Sequence, residues 1–283
     1  MSFFEILGFD KEPFSNSPDP KFFCKLKEHK YVLSKLEIAI RQKRGLMVVI
    51  GDIGLGKTTI TRKLVRNFNE DEDYEFYPVL NPSYTTEFQF LEVLVKMFGI
   101  ENVKRNTISY RMAIEDFLFR KSVNEGKTIV LIIDEGQKLS PGMLELLRVF
   151  LNFETNEYKM LQVVIMSQME IMPKIKKMRN LLDRICFLYI LSPISYEETK
   201  NLIHYRVKEA GYKGDKELFS EQAINRIYLA SKGYLRRIVF IAHNCIERII
   251  MEEKEIVDEE VVEKVLKEFE FLDYLKGIQY ANT

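Results

Sequence analysis

Apolar residues gather in five short runs, and polar residues separate them into alternating periods. Leu46–Ile50, Thr128–Ile133 and residues 160–166 are apolar almost throughout, the pattern of strands covered on both faces of a parallel sheet. Residues 74–80 and 185–191 read as a second and a fifth strand. Helical spacing fills the gaps: 29–44, 58–68, a segment capped by Thr85 or Thr86 and ended by Gly99, 107–123, and a helix from Pro141 to 153. Strands alternating with helices predict an α/β domain with a mainly parallel sheet. Beyond Ser192-Pro193 the texture changes. Residues 196–210, 218–231, Leu235–Met251 and 258–274 all carry helical spacing, and no strand-like run appears. The expected organisation is therefore an α/β core over residues 1–191 and a small all-helical domain over 192–283. The first 26 residues, dense in Phe, Pro and Asp, predict an extended, packed arm counted with the core.

Composition narrows the class only a little. The chain has 283 residues, 46% apolar and 30% charged, with 42 basic side chains against 42 acidic ones. That balance argues against a general polyanion binder, although local patches can still exist. Three scattered cysteines form no metal-ligand spacing and suit reduced thiols. The N-terminus shows no basic-then-apolar leader, and no apolar run approaches the about 18–20 residues of a membrane span, so a cytoplasmic protein is expected.

Candidate chemistry begins directly after the first strand. Gly51-Asp52-Ile53-Gly54-Leu55-Gly56-Lys57-Thr58 has the spacing G-x-x-x-x-G-K-T of a phosphate-binding loop, running through Thr59 into a helix. The glycines let successive backbone N–H groups face an anion, and the helix N-terminus adds its partial positive charge. Lys57 would reach the β- and γ-phosphates of ATP, and the Thr58 hydroxyl would sit on Mg²⁺. The third strand ends in Asp134-Glu135. Asp134 would hold the Mg²⁺ coordination sphere, and Glu135 would orient or deprotonate the attacking water. Gln168, closing the fourth strand, is placed to touch that water and the γ-phosphate. Arg179 and Arg184 precede the fifth strand, where an arginine offered to a neighbouring subunit would stabilise transition-state charge. Arg236 and Arg237 open a helix of the second domain and are candidates to report nucleotide state. His29, His204 and His243 suggest no ligand set.

These strings together resemble the AAA+ ATPases of the ExeA/GspA type. The matching segments are Pro13-Phe14, Pro18-Asp19-Pro20-Lys21-Phe22, the phosphate loop, Asp134-Glu135-Gly136-Gln137-Lys138-Leu139, Leu151-Asn152-Phe153-Glu154-Thr155, Asp183-Arg184-Ile185 and Gly233-Tyr234-Leu235-Arg236-Arg237-Ile238. The resemblance implies a P-loop NTPase core with sheet order 5-1-4-3-2 and a helical lid. It implies Gln168 as sensor 1, Arg184 as a trans arginine finger, Arg236 as sensor 2 and Phe14 near the adenine. It also implies homo-oligomeric assembly as a ring or helical filament. Two departures stand out: Gly136 replaces the family's Ala, which is expected to loosen the turn, and Leu235 replaces its Pro.

Two roles are open to such an ATPase. One is an ATP-driven assembly or recruitment switch acting on secretion or envelope proteins. The other is a regulator like TnsC, TniB and MuB that forms filaments on duplex DNA and recruits a transposase. Candidate DNA contacts are Lys104, Arg105 and Arg111, and Lys174, Lys176 and Lys177. Residues 252–270 carry nine acids against three lysines, which would face away from a basic DNA-binding side.

Overall fold

The computed structural model describes residues 6–15, 24 and 26–268. These fall into two units. Of the described residues, one comprises 27–53 and 57–191, and the other 6–15, 24, 26, 54–56 and 192–268.

The larger unit is an α/β sandwich built in the order α1 (Lys27–Arg41), β1 (Leu46–Ile50), α2 (Lys57–Asn67), β2 (Tyr74–Val79), α3 (Glu87–Met97), α4 (Thr107–Phe119), β3 (Thr128–Ile133), α5 (Pro141–Phe150), β4 (Leu161–Ser167), α6 (Met172–Lys177), α7 (Arg179–Leu182) and β5 (Ile185–Ile190). All pairings are parallel, and the sheet order is β2-β3-β4-β1-β5, as the family resemblance implied. β1, β3 and β4 are buried at every residue, which explains their unbroken apolar runs. β2 is an edge strand and so accommodates Pro78, whose missing N–H costs no ladder bond on its open side.

Helix starts coincide with side-chain caps. Thr86, Asn106 and Ser140 accept from the backbone N–H groups of Gln89, Ser109 and Met143, and Pro141 occupies the first turn of α5. The helix expected to run to residue 123 leaves the α conformation at Phe119 and closes with a wider π turn over Arg120–Asn124.

The smaller unit is helical: α8 (Tyr196–Glu209), α9 (Glu221–Ser231), α10 (Leu235–Met251) and α11 (residues 259–268). Ser195 and Glu198 form a reciprocal capping box at the start of α8. Beside these helices lies one isolated parallel bridge, Phe219 with Val257. Leu235 is the first residue of α10, the position at which a helix accepts proline, so the family's Pro and this chain's Leu fit the same backbone. Gly233 has φ +77°, and a Cβ there would meet the Ile194 carbonyl oxygen at 2.1 Å, so only glycine fits.

The N-terminal segment departs from expectation: it belongs with these helices and not with the α/β unit. Phe9 and Phe14 are buried in the helical core, and the Phe14 ring meets Phe219 edge-on at 5.7 Å. The Asp10 N–H donates to the Ala210 carbonyl at 3.0 Å, and the half-buried Arg206 guanidinium donates to the carbonyls of Pro13 and Ser15. Burial of two aromatic rings supplies the driving force, which a search for periodicity cannot detect. The matching string at residues 18–22 lies outside the described residues.

Candidate nucleotide-binding site

β1, β4 and β3 are neighbours and point the same way, so the segments that leave these strands collect at one end of the sheet. The phosphate loop leaves β1, Gln168 leaves β4, and Asp134-Glu135 leaves β3. This is the carboxyl end, where ligands of parallel sheets bind.

The loop conformation requires its glycines. Gly54 and Gly56 have φ values of +87° and +86°, the left-handed region. Residues 54–56 group with the helical unit, in which the Arg236 N–H donates to the Gly54 carbonyl at 3.1 Å. A Cβ on Gly54 would stand 2.9 Å from Arg236 Cβ. Lys57 is buried at the first turn of α2, and its Nζ donates to the carbonyls of Gly51 at 2.6 Å and Asp52 at 3.0 Å. Burial pushes the Lys57 ammonium below the usual lysine range, while Asp134, Glu135, Asp52 and Glu170 pull it back up. A buried cation whose hydrogen bonds go to carbonyls of its own loop is one that a phosphate can take over.

Thr58 Oγ1 donates to Asp134 Oδ2 at 2.9 Å, and the other Asp134 oxygen accepts the Glu135 N–H at 2.9 Å. A hydroxyl and a carboxylate oxygen meeting at a phosphate loop are the hard oxygen donors that Mg²⁺ takes alongside phosphate oxygens and waters. The residues present fit that ion.

Glu135 sits at φ +56°, ψ +39°, a left-handed conformation that costs a non-glycine residue about 1–2 kcal/mol. Its Oε2 accepts from Gln137 Nε2 at 2.7 Å and, more distantly, from Gln168 Nε2 at 3.4 Å. The expectation that Gly136 loosens this turn is corrected. A Cβ at Gly136 would stand 2.4 Å from Ile165 Cγ2, so the space of the family's alanine methyl is filled from β4.

Arg184 does not join this cluster. It precedes β5, at the amino end of a six-residue parallel strand, which places it about 20 Å down the sheet from the phosphate loop. Its Nε donates to Asn152 Oδ1 at 3.0 Å, its Nη2 contacts the same oxygen, and its Nη1 donates to the Asn180 carbonyl at 2.6 Å. Arg179 is exposed at the start of α7. Phe14 has a packing reason for its place in the helical core that requires no nucleotide.

Among the proposed DNA contacts, Lys174 is corrected. Its half-buried Nζ donates to the carbonyls of Gln137 and Leu139, so it secures the turn that carries Glu135. Arg105 is engaged by Glu92 at 3.2 Å. Lys104, Arg111, Lys176 and Lys177 are exposed. In the acidic stretch 252–268, Lys254 and Lys264 pair with Glu252, Asp258 and Glu260. Sequence reasoning missed Gln137 and Asn152. Both lie inside strings that carry the resemblance, but neither residue type announces a role.

A family model described as "AAA domain" matches residues 40–175. The General secretion pathway protein A of Aeromonas hydrophila is 31% identical over 240 residues, which cover 84% of this chain and 43% of that protein. The chain thus carries an AAA domain and resembles the ExeA/GspA-type ATPases over most of its length. It spans less than half the length of that relative.

Solved structures agree on the fold of this AAA+ chain. The ORC2 protein of Aeropyrum pernix in its ADPNP–ADP complexes matches with a TM-score of 0.66 at 15% identity, covering 92% of this chain and 71% of that one. Cdc6p of Pyrobaculum aerophilum matches with 0.67 at 18% identity over 90% and 70%. The RuvB Holliday junction branch migration motor of Thermotoga maritima matches with 0.56 at 15% identity over 84% and 68%. At these identities the likeness is one of fold. No helix among the described residues is long and apolar enough to cross a membrane.

Proposed function

We propose that this AAA+ chain binds Mg²⁺–ATP at its phosphate loop, hydrolyses it to ADP and phosphate, and uses the cycle as an assembly switch. The observation that carries the reading is the meeting of Thr58 with Asp134 directly beside Glu135. The backbone of residues 51–59 receives the triphosphate, and the Lys57 ammonium, already stripped of water, moves from the Gly51 and Asp52 carbonyls to phosphate oxygens. Thr58 and Asp134 hold Mg²⁺, which when bound neutralises charge on the β- and γ-phosphates. Glu135 takes the proton of the attacking water, and Gln168 fixes that water against the γ-phosphate. Arg236, whose N–H donates to the Gly54 carbonyl, reports the nucleotide state of the loop in this reading.

Arg184 serves a neighbouring subunit in this reading. Its place at the amino end of β5 puts it out of reach of its own loop, and its ties to Asn152 and Asn180 keep the guanidinium in a defined place. ATP-dependent self-assembly into a ring or filament then completes each site. The partners are proteins of a secretion or envelope system, a proposal that rests on the name of the Aeromonas hydrophila relative. Lys174 and Arg105, two of the residues on which a DNA-bound recruiter of transposase would depend, are engaged within the fold.

ATP turnover by the purified chain with and without Mg²⁺, beside Glu135→Gln, tests the proposal. Turnover that needs Mg²⁺ and is lost in the variant supports it. Equal, near-zero rates in both proteins overturn the enzymatic reading. Duplex DNA added at low salt separates the roles: no binding and no effect on assembly exclude the DNA-bound reading.

A further inference from the structure

We infer that Gln137 is the positioning residue that aims the Glu135 carboxylate by tying it to the end of β4. The inference rests on the reading of Glu135 as the group that activates water.

The orientation of the Gln137 amide is set by its partners. Its Oε1 accepts the backbone N–H of Gln168 at 3.1 Å and the Ser167 hydroxyl at 3.3 Å. A backbone N–H can only donate, so the amide atom facing it is oxygen and the NH₂ group must point the other way. That NH₂ donates to Glu135 Oε2 at 2.7 Å, well inside the 3.4 Å contact from Gln168 Nε2. Gln137 is therefore the stronger hold on the carboxylate.

The backbone under this side chain is fixed as well. The Lys174 ammonium grips the Gln137 carbonyl at 2.5 Å and the Leu139 carbonyl at 2.9 Å. Gly136 lies tight against β4, leaving no room even for a methyl group. Glu135 itself is locked in the left-handed region. A glutamate side chain unattached at its tip would sample several rotamers, and ordering it at the moment of reaction costs free energy. Gln137 orders it beforehand, and it does so from Ser167 and Gln168, the second of which is the residue proposed to touch the γ-phosphate. One side chain thus links the proposed sensor to the proposed base.

The test uses the full chain and two variants, Gln137→Met, which removes both polar ends, and Gln137→Glu, which keeps the acceptors but turns a carboxylate toward Glu135. Steady-state turnover, binding of a non-hydrolysable ATP analogue and the unfolding temperature are measured for each. The expected result is a fall in kcat of about 10- to 100-fold, with analogue affinity and unfolding temperature unchanged. Single-turnover rates of Gln137→Met combined with Glu135→Gln should equal those of Glu135→Gln alone, because Gln137 acts only through Glu135. The inference is overturned if both variants keep kcat within about twofold of wild type, if the loss tracks weaker binding or a lower unfolding temperature, or if the double variant shows additive loss. A wild type no faster than Glu135→Gln defeats the ATPase reading and this inference with it. A fast wild type with unimpaired Gln137 variants defeats this inference alone.

Discussion

Thr58 and Asp134 come from opposite sides of β4, 76 positions apart in the chain, and meet through a 2.9 Å hydrogen bond at the carboxyl end of the sheet. The contact joins the helix after the phosphate loop to the acid after β3, so the two residues proposed to hold Mg²⁺ stand side by side. Thr58→Ala removes one oxygen donor and leaves the other in place. It is expected to raise the Mg²⁺ concentration for half-maximal turnover by about tenfold, the loss of about 1.4 kcal/mol of binding. A magnesium titration at saturating ATP checks this, and an unshifted midpoint would remove Thr58 from the site.

If Arg184 completes the site of a neighbour, two inactive proteins should rescue each other. Arg184→Ala keeps a working Glu135, and Glu135→Gln keeps a working Arg184. Mixed in equal amounts, they form some interfaces with both groups intact, and turnover should recover to about a quarter of wild type. Each variant alone should bind ATP normally and turn it over at least about 100-fold more slowly. Mixing without recovery would mean that Arg184 acts within its own chain or not at all. Asn152→Ala, which removes one of the two ties on the Arg184 guanidinium and leaves the bond to the Asn180 carbonyl, should give a milder loss of the same kind.

Gly136 gives a stability prediction. Alanine there must displace Ile165 Cγ2 and is expected to cost about 1–3 kcal/mol in urea unfolding. Ile165→Leu removes the offending branch, so the double variant should lose less than the sum of the singles. Strict additivity would show that the methyl is accommodated elsewhere.

A surface cluster sets part of the acid response. Burial raises the Glu75 carboxyl, but hydrogen bonds from Tyr77 at 2.6 Å and Lys121 at 2.9 Å outweigh it and hold the group below the usual glutamate range. A depressed folded-state value stabilises the fold above the unfolded-state value near about 4.3 and is lost as pH falls through the folded-state value. Glu75→Gln should therefore cost up to about 1 kcal/mol at neutral pH, with the gap to wild type closing in acid. Urea midpoints measured from pH 7 down to pH 3 check the sign. A gap that widens in acid would contradict it.

Much of this is legible in the sequence because the decisive elements are local. The buried strands β1, β3 and β4 show as apolar runs, and the loop and acids come directly after them. Sheet order is non-local and comes only with the family resemblance. The N-terminal arm reads as part of the wrong unit because Phe9 and Phe14 insert singly, without a period to show which core they enter. Lys174 looks like part of a basic patch, since the carbonyls it caps carry no sequence signal. The filled space at Gly136 depends on Ile165, 29 positions away and on another strand. Caps, periods and motifs are written along the chain; packing partners and backbone acceptors are not.

Residues 51–59 and Asp134 are proposed to form a site for Mg²⁺–ATP, which calorimetric titration measures without relying on turnover. Wild type should bind one Mg²⁺–ATP per chain with saturable heat, and Lys57→Ala should bind at least about 100-fold more weakly, consistent with loss of a buried charge-assisted contact of about 3 kcal/mol. No saturable binding by folded wild-type protein, or equal binding by Lys57→Ala, would contradict the account.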